Sequence, residues 1–201
     1  MNAARTDAVL AQATALRYAW PGQPPLFDAF SFALPPGVSW LGGDEGAGKT
    51  TLLRLLAGEL SPQAGTLQVH GTVFWVNPRA DGCDALSPVQ CFERVAQQHP
   101  ALDRALLADL VAELDLTPHL AKRLDMLSTG SRRKVWLAAA FAAGATLTLL
   151  DQPFAALDKP SMRFITALLQ EAATHPRRGW VVADYEAPTG VPLASAWTLG
   201  A

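Results

Sequence analysis

No apolar run in this chain is long enough to cross a bilayer. The charge-free stretch Val135 to Leu150 falls short of the roughly 20 residues a span needs and is broken by Gly144. It reads as a buried helix followed by a buried strand. The first residues are neither basic nor followed by a long apolar core, so no secretory signal is expected. Cysteine is scarce. Cys83 and Cys91 show no CxxC spacing and have no neighbouring histidine pair, which reads as two reduced structural thiols of a cytosolic protein. If one helix carries both, its rise of about 1.5 Å per residue holds them too far apart to bond. Excess charge is also lacking: 16 Lys and Arg against 18 Asp and Glu leave a net charge of −2, with no global pull toward nucleic acid or anionic membrane. No internal repeat or low-complexity tract is visible.

What is present can fill one substantial core, with at most a small appended lobe, since half of the 201 residues are hydrophobic. The opening third alternates short apolar strands with turns at Pro21-Gly22, Pro24-Pro25 and Pro35-Pro36-Gly37, the pattern of an antiparallel sheet. An apolar run holding Val38, Trp40 and Leu41 then enters GDEGAGKT, Gly43 to Thr50, and TLLRLLAG follows. This predicts a strand, a glycine loop and a helix that ends at Gly58. Pro62 and Gly65 bracket a turn into two strands, Thr66 to Val69 and Thr72 to Val76. From Ser87-Pro88 to Leu127 the apolar positions fall at helical spacing, with Leu106, Leu107, Leu110, Val111 and Leu114 on one face. Leu147 to Asp151 returns to a strand. After a helix from about Pro160 to Ala173 come Trp180 to Ala183 and a last strand near Trp197 to Leu199.

The octapeptide satisfies GxxxxGK[S/T]. Gly43, Gly46 and Gly48 permit backbone conformations that a side chain would forbid, so N–H groups from Asp44, Glu45 and Ala47 through Lys49 to Thr51 can turn inward on phosphate oxygens. The helix adds its positive end. Lys49 is expected to reach the β- and γ-phosphates, and the Thr50 hydroxyl to ligate Mg²⁺. LTLLD is a short apolar run closing on a carboxylate, as in a buried parallel strand whose C-terminal end faces the phosphates. Asp151 is then a direct or water-mediated Mg²⁺ partner.

LSTGSRRK, Leu127 to Lys134, lies just before that strand, and FAALD, Phe154 to Asp158, just after it. This ordered set resembles the ATP-binding cassette (ABC) family, with LSTGS as signature loop, LLDQP as Walker B strand and catalytic position, and AALD as D-loop. The resemblance runs from Tyr18 to Leu199. No NKxD motif points to a GTPase instead. The fold it implies is α/β, a P-loop NTPase with a RecA-like mixed core sheet, an antiparallel β subdomain and an all-helical insert. Residues 1–201 would form a single ABC ATP-binding domain, with the helical subdomain at about 83–135 and no added C-terminal regulatory domain. The resemblance further implies that Tyr18, or Trp20 beside it, stacks on adenine, and that Asn77 holds the Q-loop position near Mg²⁺. It places Ser128 and Gly130 against the γ-phosphate held by a second subunit, and Asp158 in the D-loop. Two subunits, identical or different, would sandwich two ATP molecules. Transport would need separate transmembrane subunits gripped through the helical insert, with this subunit peripheral at the inner face of the membrane. No nucleic-acid partner is implied.

Several residues depart from the family pattern. Gln152 stands where a glutamate polarises the attacking water. An amide can orient that water but cannot take its proton, and general-base assistance is typically worth about 10²- to 10⁴-fold, roughly 3 to 5 kcal/mol of barrier. Asp184 ends the late strand where a histidine meets the γ-phosphate, and a carboxylate there is repulsive unless protonated or metal-bound. Thr129 and Ser131 replace a glycine and a glutamine of the signature, and Asn77 is one methylene shorter than glutamine. Asp184 could serve as a displaced base while Gln152 positions water; the simpler reading is that catalysis is lost. Arg132, Arg133 and Lys134 read as a solvated helical face, and His175 as a surface histidine. The expectation is an ATP-binding subunit of an ABC-type transporter that dimerises on Mg²⁺-ATP and hydrolyses it poorly. A non-transporting ABC module acting as a nucleotide-gated switch is the alternative. A kinase would need an acceptor site and lid, of which the sequence gives no sign.

Overall fold

A computed structural model describes residues 9–76 and 83–200. The chain opens with β1 (Ala11–Ala19), β2 (Pro25–Leu34) and β3 (Gly37–Gly42), continues through α1 (Lys49–Leu56), and returns in β4 (Ala64–Val69) and β5 (Val73–Phe74). Helices α2 (Pro88–Gln98), α3 (Arg104–Glu113) and α4 (Thr129–Ala142) follow. Then come β6 (Leu147–Asp151), α5 (Lys159–Ala172), β7 (Gly179–Ala183) and β8 (Leu193–Thr198).

Two sheets form. The smaller has the order β2-β1-β4 and pairs antiparallel, as the turn-rich opening third predicts. Leu16 and Tyr18 of β1 face the core while Arg17 faces out, and a bulge at Ala15, with φ 48°, resets the alternation. Gly65 lies against that bulge, where any Cβ would strike the Ala15 carbonyl. The larger sheet has the order β5-β6-β7-β3-β8 and is parallel at every pairing, so the mixed pairing expected of the core sheet is divided between two sheets instead. Parallel strands need helical crossovers, and here those put helices on both faces and bury β6 and β7 almost throughout.

Alternate residues of the parallel sheet serve two cores. Leu41, Leu149, Val181 and Ala183 pack with α1 and the antiparallel sheet. Val38, Leu150, Trp180 and Val182 pack with α2 through α5. Hydrogen-bonding residues start the helices. Ser87 and Gln90 form a reciprocal capping box on α2, and Asp103, Ser128 and Asp158 cap α3, α4 and α5. The face drawn from sequence on α3 is buried at Leu107, Leu110 and Val111, with Leu114 just beyond the helix. The second strand after Pro62 is shorter than expected. Cys83 precedes α2 while Cys91 lies inside it, so no single helix carries both, and both thiols are free.

Candidate functional site

Parallel pairing brings the C-terminal ends of β3, β6 and β7 to one edge, and the loop after each carries chemistry. After β3, Gly43, Gly46 and Gly48 take φ of 139°, 80° and 101°, conformations that side chains disfavour, and α1 begins at Lys49. Lys49 is only 7% exposed. Its ammonium donates to the carbonyl of Gly43 and, at 2.8 Å, to that of Asp44. The Thr50 hydroxyl donates to Asp151 Oδ2 at 2.7 Å, joining the glycine loop to the end of β6. Burial raises the Asp151 carboxyl above its ordinary range; the Thr50 hydrogen bond and the charges of Arg133 and Lys49 oppose that rise. A hydroxyl beside a single carboxylate is the oxygen donor set of an Mg²⁺ ion that takes its other ligands from phosphate and water. Among the described residues, no cluster of three or more His, Cys, Asp or Glu offers an all-protein metal cage.

Gln152 follows at φ 47°, with its N–H on the Ala183 carbonyl at 2.8 Å. Its own carbonyl accepts from the Arg133 guanidinium, which also reaches the Asp151 carbonyl at 3.4 Å. Arg133 is therefore not part of a solvated face. Burial lowers its pKa, and the facing Asp151 and Asp184 raise it. Its neighbours are engaged as well: Arg132 pairs with Asp84, and Lys134 with Asp158 at 2.6 Å. Helical spacing places three consecutive cations on different sides of α4, so sequence alone could not tell which of them turns inward.

Asp184 is half-buried just past β7. Its N–H donates to the Leu41 carbonyl at 3.1 Å, and its Oδ1 accepts from the N–H of Tyr185 at 2.8 Å. Burial raises its pKa, opposed by the Tyr185 N–H and by Lys49 and Arg133. Tyr185, which sequence reading passed over, carries its ring over Lys49, 4.4 Å from the ammonium to the ring centroid.

Ser128 is exposed and accepts from the Ser131 N–H at 3.1 Å. Gly130 lies so close to the Ala156 carbonyl that a Cβ would collide with it. Asp158 is held well below the usual carboxylate range by Lys134 and the Ser161 amide. Asp44, Glu45 and Gly46 are exposed, Ala47 and Gly48 half-buried and Thr51 buried, around the same loop. Tyr18, by contrast, is 7% exposed within the core and meets Trp20 edge-on, leaving Trp20, 37% exposed, as the aromatic with a surface to offer. Asn77 lies outside the described residues. His175 is half-buried rather than superficial, its Nδ1 accepting from the N–H groups of Arg177 and Arg178.

The family model described as ABC transporter matches residues 27–155. The chain belongs to the ABC transporter family. It is 37% identical to the cytochrome c biogenesis ATP-binding export protein CcmA of Rhodospirillum rubrum, over 80% of this chain and 73% of that protein. To the protein of the same name in Escherichia coli it is 32% identical, over 78% and 79% respectively. Its fold is shared with an ATP-binding subunit of an ABC transporter at a TM-score of 0.77 and 20% identity, covering 88% of this chain and 79% of the other. An ABC transporter ATP-binding protein from Pyrococcus furiosus gives a TM-score of 0.76 at 20% identity, covering 94% and 96%. This protein is an ABC-type ATP-binding subunit. Among its described residues, no helix is long and apolar enough to cross a membrane.

Proposed function

We propose that this ABC subunit binds Mg²⁺-ATP between its glycine loop and a second subunit, closes on it as a dimer, and hydrolyses it slowly or not at all. The observation that carries this reading is the bond between Thr50 and Asp151 beside the buried Lys49, which supports a working phosphate and Mg²⁺ site. Lys49 exchanges the Gly43 and Asp44 carbonyls for phosphate oxygens, and the loop N–H groups from Asp44 to Thr51 supply the rest of the cradle. Thr50 and Asp151 hold Mg²⁺, which when bound neutralises charge on the phosphates; Asn77 is assigned beside them by the family pattern. Trp20, rather than Tyr18, offers the adenine platform, because stacking needs an open ring face.

Gln152, next to Asp151, can orient a water but cannot accept its proton. Asp184 has its Oδ1 on the Tyr185 N–H, which favours a structural duty over that of a replacement base. Ser128 and Gly130 face the ATP of the opposite subunit, and Asp158 anchors the D-loop beside them. The whole chain is read as one ABC domain with a helical insert. A cleft of about 600 Å³ between the sheet edge and the insert, lined in part by Trp75, Cys83, Arg94 and Trp136, supports docking of a separate membrane subunit. The likeness to the CcmA export proteins supports a role in export at the inner face of a membrane.

Calorimetric titration with Mg²⁺-ATP tests the binding half of this reading. The wild type should bind, and Lys49→Ala should weaken binding by about tenfold or more, as the loss of a charge-assisted contact implies. Equal affinity of the two proteins would overturn the assignment of the loop.

A further inference from the structure

Lys49 lies between two unlike partners. The loop carbonyls of Gly43 and Asp44 take its ammonium protons, and the Tyr185 ring covers it 4.4 Å away. Tyr185 is nevertheless 52% exposed, which is high for so large a side chain. Its placement is fixed from behind. The N–H of Asp184 donates to Leu41 of β3, and the Asp184 carboxylate accepts the N–H of Tyr185. The first two residues after β7 are thereby pinned to the strand that feeds the glycine loop, and the ring stands over the lysine. Cation–π contact of this kind holds the ammonium against the electron-rich face of the ring.

We propose that Tyr185 senses the terminal phosphate: its ring holds Lys49 in place before nucleotide arrives, and its phenol hydroxyl then donates to the γ-phosphate. The inference rests on the reading of the glycine loop as an ATP site and deepens it. A lysine at this point of a GxxxxGKT loop reaches the β- and γ-phosphates, so a ring in contact with its ammonium stands beside the outer phosphates of a bound nucleotide. A phenol hydroxyl donates one hydrogen bond, which suits a polyanion that a carboxylate would repel. Exposure leaves the ring free to slide off the ammonium as phosphate replaces the carbonyls. Asp184 acts on this contact as a positioning residue.

ADP lacks the γ-phosphate, so the hydroxyl distinguishes the two nucleotides. The test is calorimetric titration of the wild type, Tyr185→Phe and Tyr185→Ala with Mg²⁺-ATP and with Mg²⁺-ADP. Tyr185→Phe, which keeps the ring, should bind ATP about tenfold more weakly and ADP within about twofold of the wild type, as expected for one hydrogen bond to a charged group. Tyr185→Ala should lose at least as much ATP affinity. If Tyr185→Phe leaves ATP affinity unchanged, or weakens ATP and ADP alike, the phosphate-sensing role is wrong while the ATP site stands. If the wild type binds neither nucleotide, the reading of the loop falls and this inference falls with it.

Discussion

Gln152 holds a left-handed backbone conformation that residues other than glycine, asparagine and aspartate seldom adopt. Hydrogen bonds from both sides impose it: its N–H is tied to Ala183, and its carbonyl accepts from Arg133 and, at 3.1 Å, from the N–H of Ala155. Such conformations cost energy and persist where the surroundings over-determine them, often at functional sites. A glutamate is isosteric with glutamine and leaves these backbone bonds in place, so the substitution is a clean probe of chemistry. The two cysteines make a second contrast at this scale. Cys91 is buried, and burial, with Cys83 nearby, pushes its thiol up to about 11. The unfolded thiol gives up its proton near pH 8.5, so this residue stabilises the fold below that pH and ceases to do so as the pH rises toward 11. With a thiol-reactive dye at pH 8, half-buried Cys83 should label in the folded protein, and Cys91 only after denaturant is added. Rapid labelling of Cys91 in the folded protein would contradict its place in the core. Little of this was legible from residue types. GDEGAGKT and LTLLD point to the proposed phosphate site because local spacing alone defines them. Arg133 and Tyr185 join it only through contacts across the sheet.

Loops and helix starts tie the site together. α4 and the segment after β6 are clamped twice, by the Lys134–Asp158 pair and by the close approach of Gly130 to the Ala156 carbonyl. Ala156, with φ 61°, is a second strained residue in that short segment. Gly130→Ala would drive a methyl group into this carbonyl and must displace the segment, since a backbone oxygen cannot swing aside as a side chain can. The expected result is loss of ATP-induced dimerisation, read by light scattering, with monomer affinity for ATP changed less than about threefold. Unchanged dimerisation would show that the two segments do not form the contact surface together. Helices and strands were legible where period and caps agree, as at Ser87-Pro88 and at the Leu107 to Val111 face. The bulge at Ala15 and the all-parallel pairing of the larger sheet were not, because register and partner choice depend on strands far apart in sequence.

At the scale of the whole molecule, balanced charge gives no global pull toward nucleic acid or anionic membrane, and ATP is the ligand proposed to hold two subunits together. An ABC subunit that grips ATP and hydrolyses it slowly would remain closed longer than an active one, and a second subunit with its glutamate in place could still fire the opposite site. The measurement that bears most directly on this is steady-state phosphate release with Mg²⁺-ATP from the wild type and from Gln152→Glu. Negligible release from the wild type, with a gain of about 10²- to 10⁴-fold on restoring the carboxylate, is the expected result. Robust release from the wild type, unimproved by Gln152→Glu, would contradict it and would mean that another group, Asp184 first, takes the proton.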